Sequence, residues 1–523
     1  MADRVVILRM LAWEDLFELE QTYREYLRAR YGVGDNGSLN EFISRRDGKL
    51  MFANVDLEAL VAEHGAPLEI AYCPLITEQI NRMQEVAEQA LRDTQYDARF
   101  VYAYATKANF SEEVVRTALN AGAHYETSSV ADARIALDLW RRGVVPAEQY
   151  IFCNGSKEDD YIAAVLRLRL AGNANVVSVL DDLDEWAAYR ASPVPMQIGV
   201  RAREYAKCSG GDRFGLLPAE IDDVVATLDG TAHQLVLYHA MVGSQLEDQD
   251  AWLSKLAGAV EAYCLLRRRV PTLHMFNFGG GMPTSAYNLG FRFDYAEFMR
   301  KLFATIAATC ARFDVPVPDV VGEFGRYTVA SHSMYLIEVG KVKRGRNGEA
   351  PWYLLNGSLM VSAPDTLIVD DQQFIVLPLT DWEQEAQEVR LGGRRTCDSD
   401  DQYPRPGQAP LLLPKSDGGL IIAVFGVGAY QSMLAGKGGA HHCLNPEMKR
   451  VIIEQDGEQL VTRVVQEQSL SQIMTALGYT TETERARIRR TPAPRVRRPD
   501  VWRSTVRVTP QRRTPNAPWI LSS

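Results

Sequence analysis

Between about residues 98 and 325, short strand-like runs alternate with helical patterns. The runs are FVYAYATK, AHYET, YIFCN, VVSVL, MQIGVRA, HQLVLYHAM, HMFNF and PDVVGEF, eight in all. Runs of this length, rich in β-branched and aromatic residues, read as strands. A representative intervening stretch is SEEVVRTALNAG, with Ser111 as an N-cap, acids in the first turn and Gly122 as a stop. Repeated strand–helix units predict an α/β chain built on a (β/α)8 TIM-like barrel, whose chemistry would sit at the C-terminal ends of its strands.

After Tyr327 the pattern changes. SMYLIEVGKVKR, PWYLLNGSLMV, QQFIVLPL, EVRLGGRRTC, GGLIIAVFG, RVIIEQDG and QLVTRVV follow one another without long helices between them. They predict a second, all-β domain of sandwich or barrel type. SLSQIMTALGY (Ser469–Tyr479) reads as a closing helix. Residues 1–65 hold an acidic helix, a Gly-containing loop and the amphipathic VDLEALVAEHG, and are expected to pack on the β domain. The division expected is therefore 1–65 for this segment, 66–332 for the barrel, 333–478 for the β domain and 479–523 for a tail.

Composition narrows the class. A chain of 523 residues, 46% hydrophobic and 24% charged, is an ordinary globular one of two or three domains. No apolar run approaches the ~20 residues that span a bilayer, and acids interrupt the N-terminus where an export signal would be apolar. Seven cysteines are scattered without a CxxC or Cys/His pattern, so the sequence supports neither a zinc site nor a disulfide framework. A reducing cytoplasm fits best. The formal charge of −10 is uneven: residues 479–523 carry eleven Arg against three acids, a net of +8, leaving −18 on the rest. The acidic body argues against nucleic acid and suits a cationic small molecule. The Arg- and Pro-rich tail has no periodicity and reads as disordered.

Candidate chemistry collects at strand ends. Lys107 closes the first run, where Val101, Ala103, Ala105 and Lys107 share one face and clear a space around an amine. A lysine in a confined, partly dry site is expected to lose its proton more readily and can form a Schiff base. FNFGGGMP places Gly279, Gly280 and Gly281 after another strand, where backbone amides can approach an anion. VGSQ offers the Ser244 hydroxyl, and EFGRY pairs Glu323 with Arg326, whose fork suits phosphate. Singly, each has an ordinary structural explanation: a flexible turn, a local ion pair, a lysine reaching solvent. Together they make a kit for pyridoxal phosphate, with an amine, a phosphate cradle and an acid for the pyridine nitrogen.

The ordered set YATKAN, YETSSVADARIAL, IFCNGSKEDDYI, VRAREY, DRFGL, VGSQ, FNFGGGMP, GEFGRY, SLMVSAPDTLIVDDQQFIVLPL, TCDSDD and GVGAYQ resembles the fold-type III pyridoxal-phosphate decarboxylases over about residues 40–478. Within them the chain is most similar to the biosynthetic arginine decarboxylases. The resemblance implies that Lys107 is the Schiff-base lysine and that Glu323 pairs with the pyridinium nitrogen. It implies that Ser244, Gly279, Gly280, Gly281, Arg326 and Tyr430 bind phosphate. Cys397 would be the thiol that reaches into the partner subunit's site and reprotonates the substrate carbon. Asp398 would face the distal cation of a basic amino acid. A homodimer or higher oligomer with shared active sites is implied.

Three positions depart from the family pattern. Met241 stands where a ring-stacking histidine is usual, with His239 two residues back on the same strand face. Phe324 replaces the usual proline of the EFGR stretch. Asn356 stands where some relatives have a substrate-binding Asp. The reading expected is decarboxylation of arginine to agmatine and CO2. The alternatives are ornithine, lysine, diaminopimelate or a carboxylated polyamine as substrate, or a catalytically weakened homologue that binds partners. A Mg2+ requirement has no support in the sequence.

Overall fold

The computed structural model describes residues 21–33, 36–203, 213–369 and 372–479. The acidic start of the chain and nearly all of the Arg-rich tail lie outside the described residues.

All eight runs form strands, and they close into one parallel barrel. The last, Asp319–Phe324, pairs with the first, Phe100–Ala105, from Val320 opposite Phe100 to Phe324 opposite Tyr104. Alternation sorts the side chains. Val101, Ala103, Phe152, Val177, Val179, Val236, Leu237, Met275 and Val321 pack together inside the barrel. Tyr102 and Tyr104 point the other way, into the layer under the helices, and are buried there. Each phenol finds a partner, Tyr102 at Thr328 Oγ1 (2.7 Å) and Tyr104 at the Asn109 carbonyl (2.6 Å).

Helix Glu112–Asn120 begins after Ser111, as its pattern predicts. Ser111 occupies the cap position, but its hydroxyl accepts from Lys437 Nζ (2.8 Å) instead of capping the helix. A tertiary contact has displaced a local one.

The second domain is a sheet organised around the long strand Ser333–Lys343. That strand pairs antiparallel with Leu68–Tyr72, Ile421–Phe425 and Trp352–Leu355. Short helices at Leu359–Ser362, Asp365–Ile368 and Gln431–Ala435 interrupt the strands. One expected boundary moves. Leu68–Tyr72 was assigned to the barrel, but it lies in the second sheet, between Ser333–Lys343 and a parallel partner, Lys449–Asp456. The barrel is thus inserted into the β domain. Ahead of that strand, helix Tyr23–Tyr31 sets Tyr23 edge-on to Trp382, and Phe42 and Phe52 reach Phe425. The barrel and the sheet belong to one compact unit ending at Ile473.

Candidate active site

The first barrel strand stops at Ala105, and Thr106–Ala108 make a single 3-10 turn. Lys107 therefore stands on a turn and not on the strand, and it projects into the open barrel mouth. The turn is held on both sides. Thr106 Oγ1 donates to the Glu126 carbonyl (2.9 Å), and the Ala108 carbonyl accepts from the Tyr430 amide (2.7 Å). Asn109 Nδ2 also donates to the Gly428 carbonyl (2.9 Å), so the GVGAY segment of the β domain clamps the lysine turn.

Two carboxylates lie beneath the mouth. Glu323 ends the last strand and Glu126 ends the second, and both are buried. Asn154 Nδ2 bridges them, at 2.9 Å from Glu126 Oε1 and 2.9 Å from Glu323 Oε1. Asn277 Nδ2 adds a second bond to Glu323 Oε1 (2.6 Å), and His239 Nε2 lies 3.7 Å from Glu323 Oε2. Their environments differ. Burial pushes the Glu126 carboxyl up to about 7, against the pull of Lys107 and with the push of Glu323. Burial works the same way on Glu323, but His239, the two asparagine amides and Lys107 outweigh it and hold that carboxyl below its ordinary value. Two neighbouring acids are thus driven to different protonation states near neutrality. His239 is pushed down to about 4 by burial, and neither ring nitrogen has a hydrogen-bond partner.

The expectation of a readily deprotonated Lys107 is corrected here. Glu126 holds its pKa above the ordinary lysine value and outweighs the opposing desolvation. The space that the small residues clear contains a carboxylate.

The glycine loop is a close-fitted cradle. Gly279 and Gly281 have φ of +73° and +104°, a region that side chains rarely adopt. A Cβ at Gly279 would lie 2.5 Å from Met241 Sδ, and one at Gly281 would lie 2.7 Å from the Gly243 carbonyl. Met241 packs its sulfur against this loop, with the Gly280 amide 3.4 Å away.

Arg326 completes the far wall. Its Nη1 donates to Asp365 Oδ2 (2.9 Å) and to the Tyr287 hydroxyl (3.3 Å), and its guanidinium lies 4.4 Å over the Tyr430 ring. Gln431 Nε2 also holds Asp365 Oδ2 (2.8 Å). Asp365 and Gln431 thereby fix the Arg that the sequence singled out. Lys107, Met241, Ser244, Gly280, Gly281, Glu323, Arg326 and Tyr430 all line one cavity, with ≈ 570 Å³ of empty space that is partly open to solvent.

Five candidates do not line that cavity: Gly279 lies behind it against Met241, His239 beside Glu323, and three lie apart. Asn356 is engaged elsewhere: Oδ1 accepts from the Glu338 amide (3.0 Å), and Nδ2 donates to the Ala66 carbonyl (3.1 Å) and Glu338 Oε2 (3.3 Å). It ties two strands and the entry to a third, which is a sufficient reason for an amide there. Cys397 and Asp398 sit in an exposed loop of the β domain. Cys397 Sγ lies 3.8 Å from Cys443 Sγ, and Asp398 contacts His442. Glu126, Asn154, Asn277 and Asp365 escaped the reading of the sequence.

Residues 77–330 match the pyridoxal-dependent decarboxylase family over its pyridoxal-binding domain. The barrel resembles that family's pyridoxal-binding domain. The chain is 27% identical over 317 residues to arginine decarboxylase 1 of Oryza sativa subsp. japonica, covering 55% of this chain and 45% of that protein. It is 25% identical over 348 residues to the biosynthetic arginine decarboxylase of Prochlorococcus marinus, covering 62% and 52%. The chain thus spans about half the length of the curated relatives it matches. In three dimensions it resembles the biosynthetic arginine decarboxylase of Campylobacter jejuni, with a TM-score of 0.74, 20% identity, and 88% and 94% of the two chains covered. It also resembles the diaminopimelate decarboxylase of M. jannaschii, with a TM-score of 0.68, 18% identity, and 84% and 98% covered. These likenesses bear on the fold.

The residues present fit pyridoxal phosphate, the cofactor of this family. The mouth offers an amine, a buried carboxylate held ionised and a glycine cradle in which added Cβ atoms would clash, and behind Glu323 lies His239 with two unpartnered ring nitrogens. Among the described residues, no helix is long and apolar enough to cross a membrane.

Proposed function

We propose that the chain is a cytoplasmic carboxy-lyase that decarboxylates a basic L-amino acid, with L-arginine giving agmatine and CO2. One observation carries the reading: Lys107, Glu323 and the Gly279–Gly281 loop converge on one barrel mouth although they come from strands far apart in sequence. When bound, pyridoxal phosphate supplies an electron sink for the pair left behind as CO2 departs. Lys107 anchors it, and Glu323, held ionised by Asn154 and Asn277, keeps its ring nitrogen protonated. Ser244, the glycine amides, Arg326 and Tyr430 take its phosphate. Met241 and His239 sit against the ring position, and the thioether packs there without adding charge. Glu126, the carboxyl that acts most strongly on Lys107, accepts the proton that the ammonium must shed.

The proton that replaces the carboxylate comes from Cys397, with Asp398 facing the distal cation. Both lie outside the mouth of their own chain, so this reading requires a second copy and makes the working form a homodimer. The named relatives and the acidic TCDSDD loop favour a guanidinium substrate.

The test is a panel. Purified protein supplied with pyridoxal phosphate is given arginine, ornithine, lysine and diaminopimelate, and the product amines are identified. Agmatine as the fastest product is expected. Faster release from another amino acid overturns the arginine assignment. Cofactor binding without turnover on any substrate replaces the enzyme reading with that of a weakened homologue.

A further inference from the structure

The exposed loops that carry Cys397 and Cys443 bring together a donor set that has a second use besides the decarboxylase chemistry. Cys397, Asp398 and Cys443 each offer a ligand atom within 4.8 Å of the others. His442 adds a ring nitrogen in contact with Asp398 Oδ2. Two sulfurs and a carboxylate make a three-donor zinc-type set, with the imidazole behind the carboxylate.

The spacing favours a shared cation over a sulfur–sulfur bond. Zinc–sulfur bonds of ~2.3 Å at tetrahedral angles place two sulfurs ~3.8 Å apart. The observed separation is 3.8 Å. A disulfide requires ~2.05 Å, and the two sulfurs are not bonded at 3.8 Å.

The backbone supports the same geometry. Cys443 has φ 53° and ψ 23°, and Leu444 follows at φ 54°. Two successive non-glycine residues in the left-handed region carry a conformational cost that persists only where the surroundings impose it. The neighbouring His441 is already committed, with Nδ1 at the Ala435 carbonyl (3.1 Å) and Nε2 3.4 Å from Glu447. His442 is the imidazole that meets the donor set, through Asp398 Oδ2.

We propose that Cys397, Asp398 and Cys443 bind a zinc-class divalent cation, with His442 orienting the Asp398 carboxylate. Binding one Zn2+ displaces the two thiol protons to solvent and forms two thiolate–metal bonds. No electron transfer is involved. The consequence for activity rests on the reading of Cys397 given above: a metal-bound thiolate has no proton to return, so the cation reversibly withholds the last step of the reaction.

Cobalt(II) is the probe, added to the full-length protein after reduction and removal of metals by a chelator. The wild type is expected to show thiolate-to-cobalt charge-transfer absorption saturating at one equivalent per chain, abolished by added Zn2+. Cys443→Ser should lose the charge-transfer band, and His442→Ala should bind about tenfold more weakly or worse. A wild-type spectrum without thiolate bands, or an unchanged one in Cys443→Ser, overturns the site. So does a Cys397–Cys443 cystine in the untreated protein with no metal uptake after reduction. In the activity arm, stoichiometric Zn2+ slows arginine turnover in the wild type, a chelator restores it, and Cys443→Ser is unaffected. Equal inhibition of Cys443→Ser places the inhibitory metal elsewhere. If no form of the protein turns over any amino acid, the decarboxylase reading fails while the cobalt spectrum still decides the site.

Discussion

The barrel mouth and the Cys397 loop hold residues assigned to one reaction, yet they are built in opposite ways. At the mouth the acids are buried and their oxygens held by asparagine amides, and the lysine turn is clamped from two directions. At the loop every donor is exposed and the contacts are among the donors themselves. A site that must polarise a bound ring needs fixed dipoles away from water. A site that must meet a second chain has to stay open until that chain arrives. Under the proposed reading, the difference teaches that one chain completes the half that holds the cofactor and presents the other half outward.

The largest expected effect comes from the mouth. Lys107→Ala should abolish both the visible absorbance of bound cofactor and agmatine formation, and CO2 release that persists in that variant would sink the assignment. Next is a direct break of the comparison. Cys397→Ala should lose turnover while keeping the cofactor spectrum, since its loop does not line the cavity. Mixing inactive Lys107→Ala and Cys397→Ala proteins under subunit exchange should restore part of the activity, because one hybrid site is whole. A mixture that stays inactive after demonstrated exchange would argue that each chain completes its own site.

A smaller effect is expected at the cradle. Gly281→Ala adds a Cβ 2.7 Å from the Gly243 carbonyl at φ +104°. Displacing that loop should weaken cofactor binding by about 1–3 kcal/mol, read by titration of pyridoxal phosphate into the apoprotein. An unchanged affinity would mean the loop does not hold the phosphate.

A separate effect concerns the stability of the fold and leaves the chemistry aside. His124, His239 and His332 are each pushed down to about 4, chiefly by burial. An unfolded histidine takes up its proton near pH 6.5, so below that value the unfolded chain binds protons that the fold refuses. Stability should fall as pH drops from about 6.5 to about 4, by up to about 3 kcal/mol per histidine. Urea midpoints across that window should show it, and a flat profile would mean these rings are accessible to protons in the native state.

Much of this was legible in the sequence. Eight buried runs announced eight strands, because each is short, apolar and separated by an amphipathic stretch. Lys107, Glu323, Arg326 and the glycines stood at strand ends, where the barrel gathers them. What the sequence hid depends on long-range pairing. LEIAY reads like any buried strand, and nothing local says that its partners are Ser333–Lys343 and Lys449–Asp456. Glu126 ends an ordinary strand, so its coupling to Lys107 and Glu323 appears only once the barrel closes. The signal was a lone acid finishing an apolar run in YET. Asn356 misled because position in a motif does not say which way an amide faces. Cys443 lies 46 residues from Cys397, too far for any ligand spacing to link them.

The strand Leu68–Tyr72 has a consequence for biosynthesis. It leaves the ribosome before the barrel, but its two neighbours in the sheet are translated only after the barrel has been made, one of them near the end of the described chain. An apolar strand with both edges bare must wait through that interval. The barrel can begin to fold during translation, while the β domain, and with it the clamp on the Lys107 turn, can close only when the last strands emerge. Cofactor competence is then a late event in the life of the nascent chain, and a product truncated after the barrel would leave an aggregation-prone edge rather than a working fragment.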